Sequence, residues 1–484
     1  MKKRYGTIVI CLLILTMIFT GCNANTSQAA EKADGQTAEG KVKVEYTNRD
    51  IQGTYDQNEA VDVALENESY TINQAGVYVF SGSLEDGQII VDAADEDKVQ
   101  IVLNGVDIHC SNGPAIYVKN ANKTFITLAK NTENKLSDGT AYTSTEDEPW
   151  GAIFSKDDLT INGSGELSVE GNYKNGIVSK DDLRITGGSL TISAAYDGIR
   201  GRNSVGVYNG TLNITAEQDG IQSNHDEDET KGYVSIDGGE VNITCTSGQG
   251  IDAYQIAQIT GGTVQIESGN EGIQAKVVYT SNGKIEVDAE DDCLNGTDSA
   301  AEKSENAQEG TLLEITDGTI YLNSKSGDCL DSNGDILISG GEVCMTGPAS
   351  GAEANIDYNG DAQITGGTVL GTGTGQMAQN FGETSTQGSI FYSADTQSQG
   401  AYISLMDSDG EEIISFTAEE DFSAVMISSP EIKQGETYTL KIGDTEKTIN
   451  MDTLIVSEGN SSRGAQPPGQ MGQGPGMGGG QKPA

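Results

Sequence analysis

From about residue 76 to residue 373, apolar and polar residues alternate in short runs, and the runs recur. Leu183 and Ile185 precede the turn TGG and Leu190 and Ile192 follow it; Val205 and Val207 precede NG, then come Leu212 and Ile214; Ile336 and Ile338 precede SGG, then come Val343 and Met345. A two-residue period predicts strands with one face in a core, and the Gly-containing turns bound them. After the N-terminal apolar segment no stretch carries the 3.6-residue period of an amphipathic helix.

A longer repeat overlies the short one: YDGIR (196–200), QDGIQ (218–222), GQGID (248–252) and NEGIQ (270–274). The Ile or Leu after the glycine marks Ile153, Ile177, Ile199, Ile221, Ile251, Ile273, Leu294 and Leu330, at intervals of 24, 22, 22, 30, 22, 21 and 36. Polar inserts at 225–232 and 297–310 account for the two longest, which leaves a basal period of about 22 residues, in the range of solenoids. About three strands per period, stacked parallel with their apolar sides enclosed, predict an all-β, right-handed parallel β-helix. A propeller is the alternative, but its blades need roughly 40–50 residues. Beyond 375 the period stops and 400–444 reads as antiparallel hairpins, a C-terminal cap over strand edges that a solenoid would otherwise leave open. The expected organisation is a signal peptide at 1–21, a small polar tether at 22–42, the β-helix with an N-terminal cap at 43–374, the β-rich cap at 375–458 and a Gly/Pro/Gln-rich tail at 459–484.

Stacked coils turn the repeat into columns spaced about 4.8 Å apart. Two residues before the marker the column reads Gly151, Asn175, Asp197, Asp219, Gln249, Glu271, Asp292 and Asp328, and Asp252, Asp291, Asn295 and Asp331 lie one or two positions from it. Like charges about 5 Å apart repel by roughly 1 kcal/mol in bulk water and by more near a protein surface. Converging oxygens of this kind are what calcium takes, so these nine acids and amides, Gln249 and Asn175 aside, are the expected metal ligands; a solvated acidic turn is the alternative reading. One and three residues after the marker the side chains should face out. With Trp150 and Tyr196 from the column three before it, Gln222, Asn224, Tyr254, Gln274 and Lys276 compose a strip of amides, amines and rings suited to a chain of sugars. Outward strand positions are polar in any case, and Trp150 could simply pack beneath its own loop.

Charge narrows the partners. With 28 Lys+Arg against 73 Asp+Glu, the formal charge of −45 argues against nucleic acid, which needs a basic surface. The start, MKKRYGTIVICLLILTMIFTGC, joins a basic segment to an apolar one and ends at a small-residue site, as a secretory signal does. FTGC looks like a bacterial lipobox that would lipidate Cys22 and place the protein on the extracellular face of the cell membrane; a plain signal peptide or an uncleaved anchor are the other readings. The cysteines show no CxxC pairing, so zinc is not expected. Cys293 and Cys329 fall at the glycine position of consecutive coils, within reach of a disulfide and equally placed as a reduced pair.

Together, the repeat DGIQS…IDGGEVNI, the lipobox and the segment FSAVMISSPEIKQGETYTL (422–440) make residues 45–458 resemble the carbohydrate-binding β-helix lipoproteins of clostridial bacteria. The resemblance implies a fold similar to family-nine pectate lyases, calcium on the helix, and binding of cellulose or acidic sugars such as polygalacturonate without cleavage. It carries calcium-type acids over to Asp197, Asp219, Glu271, Asp292 and Asp328, while Gln249 interrupts the row. Two other functions remain open. A calcium-dependent lyase would need a base, for which Lys276 is the candidate, and a structural or adhesive envelope protein would need no site.

Overall fold

The computed structural model describes residues 41–143, 148–301 and 306–459. The signal segment, Cys22, most of the tether and the C-terminal tail lie outside the described residues. The chain is nearly all β: among the described residues the single helix is α1, Asn48–Gln52. One 36-stranded sheet holds most of the strands.

Within it the pairing is parallel and keeps the sequence repeat in register. Ile177 lies beside Ile153 and Ile199, Ile199 beside Ile221, Ile221 beside Ile251, and so on through Ile273, Leu294, Leu330 and Ile356. A second set runs through Leu159, Leu183, Val205 and Val234, and a third through Leu167, Leu190, Leu212 and Val241. All these aliphatics are buried in one continuous core, the β-helix-like arrangement that the period predicts. Parallel pairing begins with Ala60–Glu66, whose Ala60 lies beside Val77, a rung earlier than the sequence makes plain.

Where a glycine precedes the marker, at 176, 198, 220, 250 and 272, it has a steric cause. A Cβ on Gly198 would stand 2.3 Å from Cγ2 of Ile214 and 2.7 Å from the Gly220 carbonyl oxygen. Glycine there lets the next coil and the core side chain close in together.

The repeating parallel stack ends at Thr368–Gly373, against which Phe422–Ser428 runs antiparallel, although Ser389–Gln397 still pairs parallel with Ile455–Gly459. The strands Tyr402–Met406, Glu412–Thr417, Thr437–Ile442 and Thr445–Asn450 form a separate four-stranded antiparallel sheet, with its own core around Ile403, Leu405, Phe422 and Leu440.

Residues 41–50 were not foreseen as an ordered strap, yet they cross the outside of the second strand set along the stack. Lys41 pairs with Glu314. The Val42 N–H donates to Gln258 Oε1 (3.0 Å), and Gln258 Nε2 donates back to the Val42 carbonyl (2.9 Å). The Tyr46 hydroxyl donates to Asp237 (2.7 Å), its ring meets Tyr208, and Gly206 leaves room beneath Val44 and Tyr46. The strap ends in α1, capped by Thr47. There Asp50, fully buried, accepts from Lys123 Nζ (2.8 Å) and the Thr160 hydroxyl (2.6 Å). Each backbone group of an extended strap outside a sheet needs a partner, and at Val42 a side-chain amide supplies both.

Candidate functional site

Much of the column two before the marker is buried, while Gln249, Glu271 and Asp292 are half-buried. Asp197, Asp219 and Asp328 are 0 %, 7 % and 3 % exposed. One oxygen of each is spent on the backbone of the next coil. Asn175 Oδ1 accepts the Asp197 N–H (3.0 Å), Asp197 Oδ1 the Asp219 N–H (3.3 Å), Asp219 Oδ1 the Gln249 N–H (3.0 Å), Asp292 Oδ1 the Asp328 N–H (2.7 Å), and Asp328 Oδ1 the Ala354 N–H. The acid in front of the glycine is therefore first a rung-to-rung cap, satisfying N–H groups exposed where the chain turns into the strand.

The second oxygen faces the residue just after the marker, three positions on. In three coils that residue is a donor. Arg200 Nη1 lies 3.6 Å from Asp197 Oδ2, Gln222 Nε2 donates to Asp219 Oδ2 (2.5 Å), and Asn295 Nδ2 donates to Asp292 Oδ2 (3.0 Å). Gln249 bridges onward to Glu271 (3.0 Å), and Asp252 takes weak contacts from Gln222 (3.2 Å) and Gln274 (3.4 Å).

At Asp328 the pattern inverts: the facing residue is Asp331, an acceptor, and the next strand brings Asp357 alongside it. One oxygen from each of Asp328, Asp331 and Asp357 falls within 4.8 Å of the others. On the preceding strand Asn295 lies beside Asp331; it is 7 % exposed, and its Oδ1 is buried without a hydrogen-bond partner. Three carboxylates with an amide oxygen beside them suit a hard divalent cation; Asp357 also accepts from Gln379 Nε2 through Oδ1 (2.7 Å). Asp357 falls outside the marker series that ends at Leu330; NIDYNG (355–360) continues the series with Ile356, which lies beside Leu330, but without the acid or the glycine that announces the other coils.

Burial sets the protonation of this column. It lifts Asp197 to about 7, with Asp219 adding repulsion, and Asp252 to about 6, again with help from Asp219. Asp328 is raised far above the carboxylate range by burial, then by Asp292 and Asp357; Asp331 is raised by burial, then by the same two. A carboxyl whose folded-state pKa is raised contributes its full stability below its unfolded value near 4, and that contribution is lost as pH rises through the folded values. We therefore expect the chelated protein to melt higher at about pH 5 than at about pH 8, with calcium narrowing the gap. A melting temperature that climbs steadily from pH 5 to 8 in chelator would contradict this.

The other expected residues divide. Gln222, Asn224, Tyr254 and Gln274 are half-buried along the first strand set, and Tyr196 is 47 % exposed. Trp150 is engaged: its ring stands edge-on to Phe154 at 5.5 Å, and Lys180 lies over it. The row one after the marker is also closed at this end, contrary to expectation, since Phe154 and Val178 are 0 % and 2 % exposed. Asp291 lies beside the column; its pKa is raised by burial and by Glu353. Lys276 stands apart from the acids: Glu271 is the residue in register with Asp292, Lys276 follows five residues later, and its Nζ is paired with Asp298 at 2.9 Å. Cys293 and Cys329 are both buried free thiols, which selects the reduced pair.

The description "carbohydrate-binding domain-containing protein" matches residues 66–351, more than half of the chain. The chain belongs to that family. A relative described in the same words, from Acetivibrio thermocellus, is 34 % identical over 275 residues, spanning 56 % of this chain and 93 % of its own. Among solved structures, a polysaccharide lyase-like protein from C. thermocellum, a gadolinium derivative, is similar at 33 % identity, with a TM-score of 0.45 over 46 % of this chain and 98 % of its own. The family's extent, 66–351, takes in Asp197, Asp328 and Asp331 and stops just short of Asp357.

Proposed function

We propose that the protein holds polysaccharide without cleaving it, on the outer face of the cell membrane, with calcium at the acid column. The observation that carries the reading is the inversion at Asp328: at Asp197, Asp219 and Asp292 the residue after the marker turns a donor group toward the second carboxylate oxygen, whereas at Asp328 it is the carboxylate Asp331, with Asp357 alongside, and a cation fits between them. Asp328, Asp331 and Asp357, with Asn295 beside them, would hold the ion. When bound it would supply a positive centre next to the half-exposed row Gln222, Asp252, Gln274, and this chain's part is to present that row at strand spacing. Membrane attachment through Cys22 is supported by the basic and apolar start and the FTGC site. The family description supports carbohydrate as the partner.

Against the lyase alternative stands the engagement of its candidate base, since Lys276 Nζ is ion-paired with Asp298 at 2.9 Å. The test is calorimetric titration of polygalacturonate, and separately of cello-oligosaccharide, into the soluble chain with calcium and after chelation, with recovered sugar checked for unsaturated ends. Binding of intact sugar that weakens on chelation is the expected result. Unsaturated ends would establish the lyase, and no binding of either sugar would leave an adhesive role.

A further inference from the structure

Four cations stand in one outward row. Lys119, Lys156, Lys180 and Arg202 each lie three residues after a core marker, and the ladder keeps them on successive strands. Lys156 N–H donates to the Val118 carbonyl (3.0 Å), Lys180 N–H to that of Ser155 (2.9 Å) and Arg202 N–H to that of Ser179 (2.9 Å). Their side chains are open: Lys156, Lys180 and Arg202 are 44 %, 33 % and 43 % exposed. Stacking like charges at about 4.8 Å is unfavourable, and it is unexpected in a chain with 73 acids to 28 bases. The row calls for an anion.

One is already there. The Glu148 carboxylate bridges two coils, pairing through Oε1 with Lys180 and lying 3.9 Å through Oε2 from Lys156. Lys180 Nζ also lies 5.5 Å from the ring centroid of Trp150, whose Nε1 is buried without a hydrogen-bond partner. A carboxylate seated between stacked cations, one of them over an aromatic ring, is the mode in which a protein would take a sugar acid, here made within the chain. Arg202 has only a loose partner, Glu227 at 3.7 Å and 78 % exposed, a rim pair of little strength.

We propose that Lys119, Lys156, Lys180 and Arg202 form a metal-independent subsite for the carboxylates of a polyuronate chain, and that Glu148 is the internal occupant such a chain displaces. This rests on the glycan-binding reading and chooses within it, favouring acidic chains over neutral ones. It uses none of the acids assigned to the cation, so the two ends of the face contribute separately.

The experiment titrates polygalacturonate, its fully methyl-esterified form and cello-oligosaccharide into the soluble chain, all in chelator. Glu148→Gln removes the internal competitor and is expected to tighten polygalacturonate about 3- to 10-fold. Lys156→Gln with Lys180→Gln is expected to weaken it at least ~10-fold, about 1.4 kcal/mol. Both neutral ligands should respond to neither change, and added salt should weaken only the acidic chain. Because Glu148→Gln predicts a gain, a misfolded variant cannot mimic it. Unchanged affinity for polygalacturonate in both variants would overturn the subsite while leaving glycan binding intact, as would neutral chains binding in place of the acidic one. If no sugar binds with or without calcium, the glycan-binding reading fails, and this proposal with it.

Discussion

Asp331→Asn is expected to raise the melting temperature of the calcium-free protein and to abolish the increment that calcium gives the parent. The direction is opposite to that of most buried substitutions, and the column supplies the reason. One coil earlier the same place holds Asn295, whose amide donates to Asp292 Oδ2. Asparagine at 331 would install that donor opposite Asp328 and remove one of three crowded carboxylates. In the parent, calcium at 100 times its dissociation constant adds about 2.7 kcal/mol; in a domain of 150–250 residues ~1 kcal/mol moves the melting temperature by about 2–4 °C. Differential scanning fluorimetry with chelator and with calcium reads both changes. A lower calcium-free melting temperature, or an undiminished calcium increment, would show that Asp331 does not help to hold the ion.

The second large effect is expected at Asp50→Ala. Asp50 is fully buried and accepts from Lys123, Thr160 and Thr47 at 2.6–2.8 Å. Burial alone would raise its pKa, but the hydrogen bonds from Lys123, Thr160 and Thr47 outweigh it and hold the carboxyl below its ordinary value. Its contribution is thus complete above the ordinary range and lost as pH falls through the folded value. Alanine leaves Lys123, 14 % exposed, without its counter-charge. Breaking one side of such a pair costs about 3–5 kcal/mol. Urea denaturation measures the loss, and limited trypsin digestion, with Lys41, Lys43 and Arg49 as targets, reports whether the strap has come away. Stability within about 0.5 kcal/mol of the parent, the scale of ordinary surface substitutions, would mean that Asp50 holds nothing in place.

Much of this architecture could be read from spacing. In a parallel stack each residue meets its equivalent one repeat away, so the recurrence of Ile199, Ile221 and Ile251 already contained the pairing the structure shows. The acids were legible as a column for the same reason. Their first duty was not, because whether Asp219 faces water or the Gln249 N–H depends on the direction the chain takes after its turn, which period alone does not specify. Trp150 read as a sugar platform, yet its ring packs edge-on against Phe154 of the strand that follows it. The strap left a faint signal in the alternation Val42, Val44, Tyr46; these residues lie across the strands rather than beside one, and no repeat announces partners such as Gln258.

That strap also orders events in time. Val42 precedes its partner Gln258 by 216 residues, and Lys41 reaches Glu314. The surface on which residues 41–50 lie does not exist until the strands from Lys123–Leu128 to Leu312–Ile315 have stacked. Coils can add one upon another as the chain emerges, but the segment made first must wait for them and dock last. Its closing fastens together rungs that otherwise touch only their neighbours.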